Sequence, residues 1–185
     1  MESDRARLRR LRTAALTTDE VTAIRQLLVT AFGPDEAERF AESDWEHAIG
    51  GMHFVIDLDG VIVGHASVVE RELHIDGRPL RTGYVEAVGV APDRQRAGLG
   101  SQLMTDVNAW IRERYELGAL GTGRHRFYER LGWRTWTGPT SIRTDDGPKR
   151  TPDEDGHIMV LETPSSRALD LAAAISAEWR SGDAW

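Results

Sequence analysis

The 185-residue chain contains no cysteine, which excludes disulfides, thiolate metal ligands and a catalytic thiol. Stability has to come from packing alone. Lysine is nearly missing too: Lys149 stands alone among 23 basic residues. No apolar run approaches the roughly 18 residues of a membrane span, and the arginine-rich start lacks the apolar stretch of a secretory signal. A soluble, cytoplasmic protein with no membrane partner is expected. Positive charge is in deficit, with 30 acidic residues giving a net charge of −7, which argues against nucleic acid as a partner because phosphates demand basic patches. The acidity suits a cationic small ligand. What is present is enough for one folded domain over 1–185, with 40% apolar residues to build its core.

Five arginines between Arg5 and Arg12 alternate with apolar residues, the pattern of an exposed edge strand, with a nucleic-acid arm as the alternative. Thr17 to Glu20 supply cap candidates and early acids. Val21, Ile24, Leu27, Leu28 and Ala31 then recur at helical spacing up to Gly33-Pro34. Ser43 with Glu46 has the spacing of a capping box and predicts a short second helix ending at Gly50-Gly51. Asp59-Gly60, between His53–Leu58 and Val61–Val69, is a hairpin signal. Asp76-Gly77 marks the next turn, before a strand from Thr82 to Val90.

A glycine turn at Gly98 and Gly100 opens a helix carrying Leu103, Val107, Trp110 and Ile111. The strand Leu117–Leu120 and a helical turn at Phe127-Tyr128 follow. Strand, helix, strand implies a parallel pair with a crossover. The stretch 138–156, with three prolines, three glycines and five acids, predicts a functional loop. A strand is expected at His157–Leu161 and a terminal helix at Arg167–Arg180 carrying Leu171, Ile175 and Trp179.

The most informative segment runs from Tyr84 to Gly100, where an apolar strand enters a loop of glycines and basic residues, including Arg94 and Arg96, that opens a helix. Small residues let backbone approach a ligand, and the free amides of a helix start favour phosphate. The loop is therefore a candidate anion cradle, with a tight structural connection as the alternative. Neither the Gly-Lys-Ser/Thr of triphosphate loops nor the Gly-x-Gly-x-x-Gly of dinucleotide folds is present.

Gln95-x-x-Gly98-x-Gly100 after Val88-x-Val90 resembles the pyrophosphate-binding motif of the GCN5-related N-acetyltransferases (GNAT), and Phe127-Tyr128-x-x-x-Gly132-Trp133 resembles their second signature. More narrowly, Ser43–His47, Gly83–Glu86, Gly138–Ser141, Arg150–Asp153 and the closing Trp179–Trp185 are similar to the aminoglycoside 2'-N-acetyltransferases of actinobacteria. The resemblance implies an α/β fold: a mixed, mostly antiparallel sheet, splayed at the acetyl-CoA strand and flanked by helices. It also implies direct acetyl transfer from acetyl-CoA to a 2'-amine, with resistance to the antibiotic as the result, and a homodimer. A sequential mechanism agrees with the missing cysteine.

By the same resemblance, the Val88 N–H would stabilise the oxyanion. Val88, Gly89 and Val90 would pair with the pantetheine arm, and Gln95, Arg96, Ala97, Gly98, Leu99 and Gly100 would hold the pyrophosphate. Tyr128 matches the general acid, and its bland reading is an aromatic packing residue. Glu86 matches the general base acting through water, and its bland reading is an exposed strand carboxylate. The carboxylate of Trp185 is a second candidate. Asp35, Asp44, Glu86, Ala87, Glu154, Asp183 and Trp185 would line the acceptor site. Two departures stand out: the segment Gly33–Phe40 is longer than in relatives, and Gly121-Thr122-Gly123 replaces a serine-rich turn.

From Asp145 onward nine acids face four basic side chains, which could grip a polycation or simply be solvated. The six histidines show no metal-ligand spacing, so no metal is expected. His47 and His53 are read as packing residues, as are Trp45, Trp133, Trp136 and Trp179, with one tryptophan as a possible sugar-site wall. Two other readings stay open. One is a GNAT enzyme for another amine, such as a cell-wall or thiol-precursor amino sugar. The other is a silent binding module, against which the presence of both Tyr128 and Glu86 speaks.

Overall fold

The computed structural model describes residues 6–35 and 39–185. In chain order the elements are β1 (Ala6–Arg12), α1 (Thr18–Phe32), α2 (Glu42–Ala48), β2 (Met52–Leu58), β3 (Val61–Ile75), β4 (Arg78–Val90), α3 (Leu99–Arg114), β5 (Leu117–Gly121), α4 (His125–Glu129), β6 (Arg134–Thr135), β7 (Thr140–Thr144), β8 (Gly147–Arg150), β9 (Ile158–Glu162) and β10 (Ile175–Glu178). No helix among the described residues is long and apolar enough to cross a membrane. The chain divides into two compact units, one ending at Val69 and resuming over Val85–Val107, the other formed by Glu70–Tyr84 and Asn108–Trp185.

In the first unit, β1 pairs antiparallel with β2 from Ala6↔Leu58 to Arg12↔Met52, so the arginine-rich segment is the edge strand its alternation suggests. Arg5 lies outside the described residues. Arg9 reaches Glu20 at 2.7 Å and Asp57 at 3.0 Å. The hairpin from β2 to β3 turns at Asp59 (φ 51°) and Gly60 (φ 84°), the paired positive values a type I′ turn requires. Helix α1 starts with a reciprocal box: Thr17 Oγ1 accepts the Glu20 N–H at 3.2 Å, and the Glu20 carboxylate accepts the Thr17 N–H at 2.9 Å. Helix α2 departs from expectation. It begins ahead of Ser43, because the Asp44 carboxylate accepts the Ala41 N–H at 2.6 Å, a charge-assisted bond that outcompetes a serine hydroxyl. Ile24, Leu28, Phe40, Trp45, Ala48 and Val55 form the core.

The second unit orders its strands β6-β9-β5-β4-β3-β10-β7-β8. The pairing of β4 with β5 is parallel and runs only from Thr82↔Leu117 to Tyr84↔Ala119. Most other pairs are antiparallel, among them β5 with β9 and β7 with β8. This is the mixed, mostly antiparallel sheet with flanking helices that the resemblance implies. Two glycines set the distance between helix α3 and the sheet. A Cβ on Gly83 would meet Tyr115 at 2.7 Å and Ile111 at 3.0 Å, and one on Gly118 would meet Leu161 at 2.9 Å and Ile111 at 3.1 Å.

Two expectations are corrected in this unit. The stretch 138–156 is a β7–β8 hairpin followed by a single helical turn, Pro152–Glu154, rather than a loop. Proline and glycine there mark the turns and the edge strand, where a missing N–H costs no ladder bond. The expected helix over Arg167–Arg180 does not form. Turns lead instead into β10, which pairs parallel with β7 and antiparallel with β3. Ala173, Ile175 and Ala177 are buried while their neighbours are not, the period of a strand. The helix propensity of alanine yields to pairing on both strand edges.

The tight contact at Gly118 generates a prediction. Gly118→Ala should destabilise the protein by about 1–3 kcal/mol through overpacking, seen in urea unfolding as a lower midpoint at unchanged slope.

Candidate active site

In the first unit the candidate residues lie along the second half of β4 and the turn that follows. Glu86, Ala87 and Val88 are half-buried. Ala87 has φ 51°, so the strand is kinked between the candidate base and the candidate oxyanion donor. Such a kink re-aims side chains and interrupts pairing. The backbone carbonyl of Glu86 accepts a long bond from Ser67 Oγ at 3.5 Å. Gly89 is buried, and a Cβ there would meet Leu28 at 3.0 Å and Ala31 at 3.2 Å, so glycine lets α1 lie close against this strand.

After the helical turn Pro92–Arg94, Arg96 and Gly98 adopt positive φ of 71° and 81° on either side of Ala97. Left-handed residues in such a turn gather backbone N–H groups into an anion-binding concavity. Residues 92–98 are exposed, whereas Leu99 is buried and anchors the start of α3. Gln95 Nε2 donates to the Val90 carbonyl at 3.3 Å and pins the turn back onto the strand. The arrangement fits the diphosphate of a nucleotide cofactor.

The other first-unit candidates are less engaged. Asp44 uses its carboxylate to cap its own helix. Asp35 is exposed just beyond α1. Part of the long Gly33–Phe40 segment, residues 36–38, lies outside the described residues.

In the second unit, Tyr128 sits in the short helix α4 and is buried. Its ring stacks edge-on with Phe127 (centroids 4.9 Å apart) and with Trp133 (6.1 Å). Trp133 is fixed by Asn108, which accepts the indole N–H at 2.9 Å and donates to the Leu131 carbonyl at 2.9 Å. Burial raises the phenol to about 12, against a smaller opposing effect of Arg124. Tyr128 therefore both packs the core and remains a neutral proton donor.

The chain end, far from frayed, is tied down inside this unit. Trp185 is buried. Its indole N–H donates to Thr151 Oγ1 at 3.0 Å and its backbone N–H to Asp183 Oδ1 at 3.0 Å. Arg180 donates to the carbonyl of Asp183 and to a terminal oxygen of Trp185, both at 2.9 Å. The buried Arg71 donates to the Ala184 carbonyl at 2.8 Å and to Glu178 Oε1 at 3.0 Å, and its guanidinium lies 4.7 Å from the Tyr84 ring centroid. Glu154 is half-buried, and burial and then the charge of Asp183 raise its carboxyl above the usual range. Trp45, Trp133 and Trp136 are buried as expected; Trp179 is 60% exposed.

Sequence reasoning missed Arg71, and it missed a histidine pair. Arg71 does carry a signal: it occupies the inward register of β3 between Val69 and Leu73, where Glu70 and Glu72 point out. His53 and His65, read singly as packing or not at all, are fully buried with Nδ1 of His53 2.9 Å from Nε2 of His65. The register Val55↔His65 makes them diagonal neighbours on one face of β2 and β3. Burial pushes His53 down to about 4. Burial and then the neighbouring His53 push His65 down to about 3.

With these features in place, the comparisons with known proteins define a class. An acetyltransferase (GNAT) domain model matches residues 12–136, and the chain belongs to the GNAT acetyltransferase family. Within that family it is similar to the aminoglycoside 2'-N-acetyltransferase of Mycolicibacterium fortuitum, with 40% identity over 96% of this chain and 91% of that protein. The E. coli GNAT family N-acetyltransferase YhbS, solved in complex with CoA, shares the fold over 96% of this chain and 92% of its own, with TM-score 0.67 and 15% identity. A GCN5-related N-acetyltransferase from Kribbella flavida matches 72% of this chain with TM-score 0.58 and 23% identity. This chain spans about a third of that longer protein, 34% of its length.

The histidine pair sets a pH dependence. Both folded-state values lie below the ordinary 6.5, so the stability gained by keeping them neutral is complete above about pH 6.5. It is lost as pH falls toward 4 and then 3. Chemical unfolding between pH 7 and pH 4 should show stability declining below pH 6.5, with a shallower decline in a His53→Gln variant.

Proposed function

We propose that this protein is an aminoglycoside 2'-N-acetyltransferase that moves the acetyl group of acetyl-CoA directly onto the 2'-amine. The observation that carries this reading is the 40% identity over 96% of the chain to an enzyme of that name. The absence of cysteine supports direct transfer, since no cysteine acyl-enzyme can form. The whole chain is read as one acetyltransferase domain, supported by a family model that runs through residues of both units. A cytoplasmic homodimer that confers resistance is the accompanying expectation, carried by the resemblance alone.

Gln95 to Gly100 receive the pyrophosphate of acetyl-CoA, and Val88, Gly89 and Val90 pair with its pantetheine arm. The Val88 N–H takes the charge that develops on the thioester oxygen. Glu86, through water, removes a proton from the acceptor ammonium, because only the free amine can attack. The amine nitrogen bonds to the acetyl carbon, the carbon–sulfur bond breaks, and the departing thiolate needs a proton.

By the resemblance to the family's general acid, Tyr128 supplies that proton. A phenol at about 12 stays protonated across the working range, so its ionisation places no alkaline limit on turnover below about pH 10. Glu154, Asp183 and the Trp185 carboxylate take up ammonium and hydroxyl groups of the acceptor, with Asp35, Asp44 and Ala87 as further contacts.

Release of the coenzyme A thiol should be rapid with kanamycin-type compounds carrying a 2'-amine and absent with their 2'-hydroxyl analogues. Turnover on cell-wall amino sugars alone would replace this reading with the other acceptor class. Glu86→Gln and Tyr128→Phe should each lower kcat by roughly 10²-fold or more while leaving the unfolding midpoint nearly unchanged. Wild-type rates in both variants would remove them from the mechanism.

A further inference from the structure

Ala87 adopts φ 51°, a conformation that an L-residue keeps only when its surroundings hold it there. What holds it is a chain of hydrogen bonds inside the first unit. His65 Nδ1 lies 2.8 Å from the Ala87 carbonyl, His53 Nδ1 lies 2.9 Å from His65 Nε2, and Thr13 Oγ1 lies 2.8 Å from His53 Nε2. The Gly50 N–H donates to Thr13 Oγ1 at 2.8 Å.

The two ends determine every proton between them. A carbonyl can only accept, so His65 Nδ1 carries the hydrogen and its Nε2 is a lone pair. His53 must then donate from Nδ1 and accept at Nε2, which leaves the Thr13 hydroxyl to donate to His53 while accepting from Gly50. Both rings are neutral and each can adopt one tautomer. Trp45 packs beside both, its ring centroid 5.8 Å from His53 and 6.4 Å from His65.

The Ala87 carbonyl and the Val88 N–H belong to one planar trans peptide and point in opposite directions. A donor that grips the carbonyl therefore aims the amide. We infer that His65, set in its tautomer by His53 and Thr13, is a positioning residue that turns the Ala87–Val88 peptide so that the Val88 N–H faces the reacting carbonyl oxygen. The inference rests on the proposed role of Val88 and extends it to His65, His53 and Thr13.

The test compares His65→Leu, which removes the donor, with His65→Asn, whose amide nitrogen takes the place of Nδ1. Each is measured by steady-state kinetics and by the 1H–15N signal of the Val88 amide in the folded protein. His65→Leu should lower kcat 10- to 100-fold with KM for acetyl-CoA changed less than threefold, and should shift the Val88 signal. His65→Asn should recover most of both. An unchanged kcat and Val88 signal in His65→Leu would overturn the inference, as would equal losses in the two variants. If His65→Leu does not fold, Thr13→Val stands in, and it should shift the Val88 signal and lower kcat at unchanged KM; no effect on either overturns the inference. If the parent protein turns over no 2'-amino substrate, the proposed function fails, and the Val88 signal alone then decides the positioning role.

Discussion

The left-handed backbone of Ala87, whose carbonyl accepts from His65 at 2.8 Å, is the constraint on which the geometry of β4 depends. An alanine in the left-handed region costs roughly 1–2 kcal/mol, and a bond to a fully buried donor offsets a cost of that size. Without the kink, β4 would alternate regularly from Arg78 to Val90. With it, the strand passes from the buried stretch Thr82–Val85 to the half-buried Glu86, Ala87 and Val88. Gly89 then brings α1 close, and the turn through Arg96 and Gly98 opens α3. The candidate base, the candidate oxyanion donor and the candidate anion cradle thus follow one another along 15 residues, Glu86 to Gly100.

The second unit meets a different demand. It holds a neutral acid and a set of carboxylates, and each needs its own environment. Burial against Phe127 and Trp133 keeps Tyr128 protonated. The carboxylates depend on arginine. Arg71 and Arg180 hold the last residues through main-chain oxygens, while the Trp185 indole donates to Thr151 and the Asp183 carboxylate accepts the Trp185 N–H. Arg150 and Thr140 hold the carboxyl of Asp155 well below the usual range, and this neighbour of Glu154 is thereby spent on the hairpin. Glu154 differs from Asp155: burial and the charge of Asp183 raise its carboxyl.

Local rules read best where both partners of an interaction lie within a few residues. The cap of α1 at Thr17, one of the candidates the sequence offers, the Asp59-Gly60 turn and the glycine turn into α3 are such cases. The Ser43 cap failed within the same range, because Asp44 offered a better acceptor one residue away. Long-range pairing was opaque. Ala173, Ile175 and Ala177 became a strand because β3 and β7 flank them, and nothing near Ala172 announces that. The Pro- and Gly-rich stretch after Gly138 was taken for a loop because its strands are only five and four residues long. In the site, residues within motifs were legible one by one. The His53–His65 pair was not, because it exists only once the register Val55↔His65 is known. An inward-facing arginine such as Arg71 was readable from strand alternation and was overlooked.

Product analysis reveals which atom receives the acetyl group. An aminoglycoside bearing several amines, incubated with acetyl-CoA and the protein, should yield a singly acetylated compound. Its heteronuclear NMR spectrum should place the new amide on the 2'-nitrogen. Acetylation at a different amine, or no acetylated product in the presence of intact acetyl-CoA, would contradict the account.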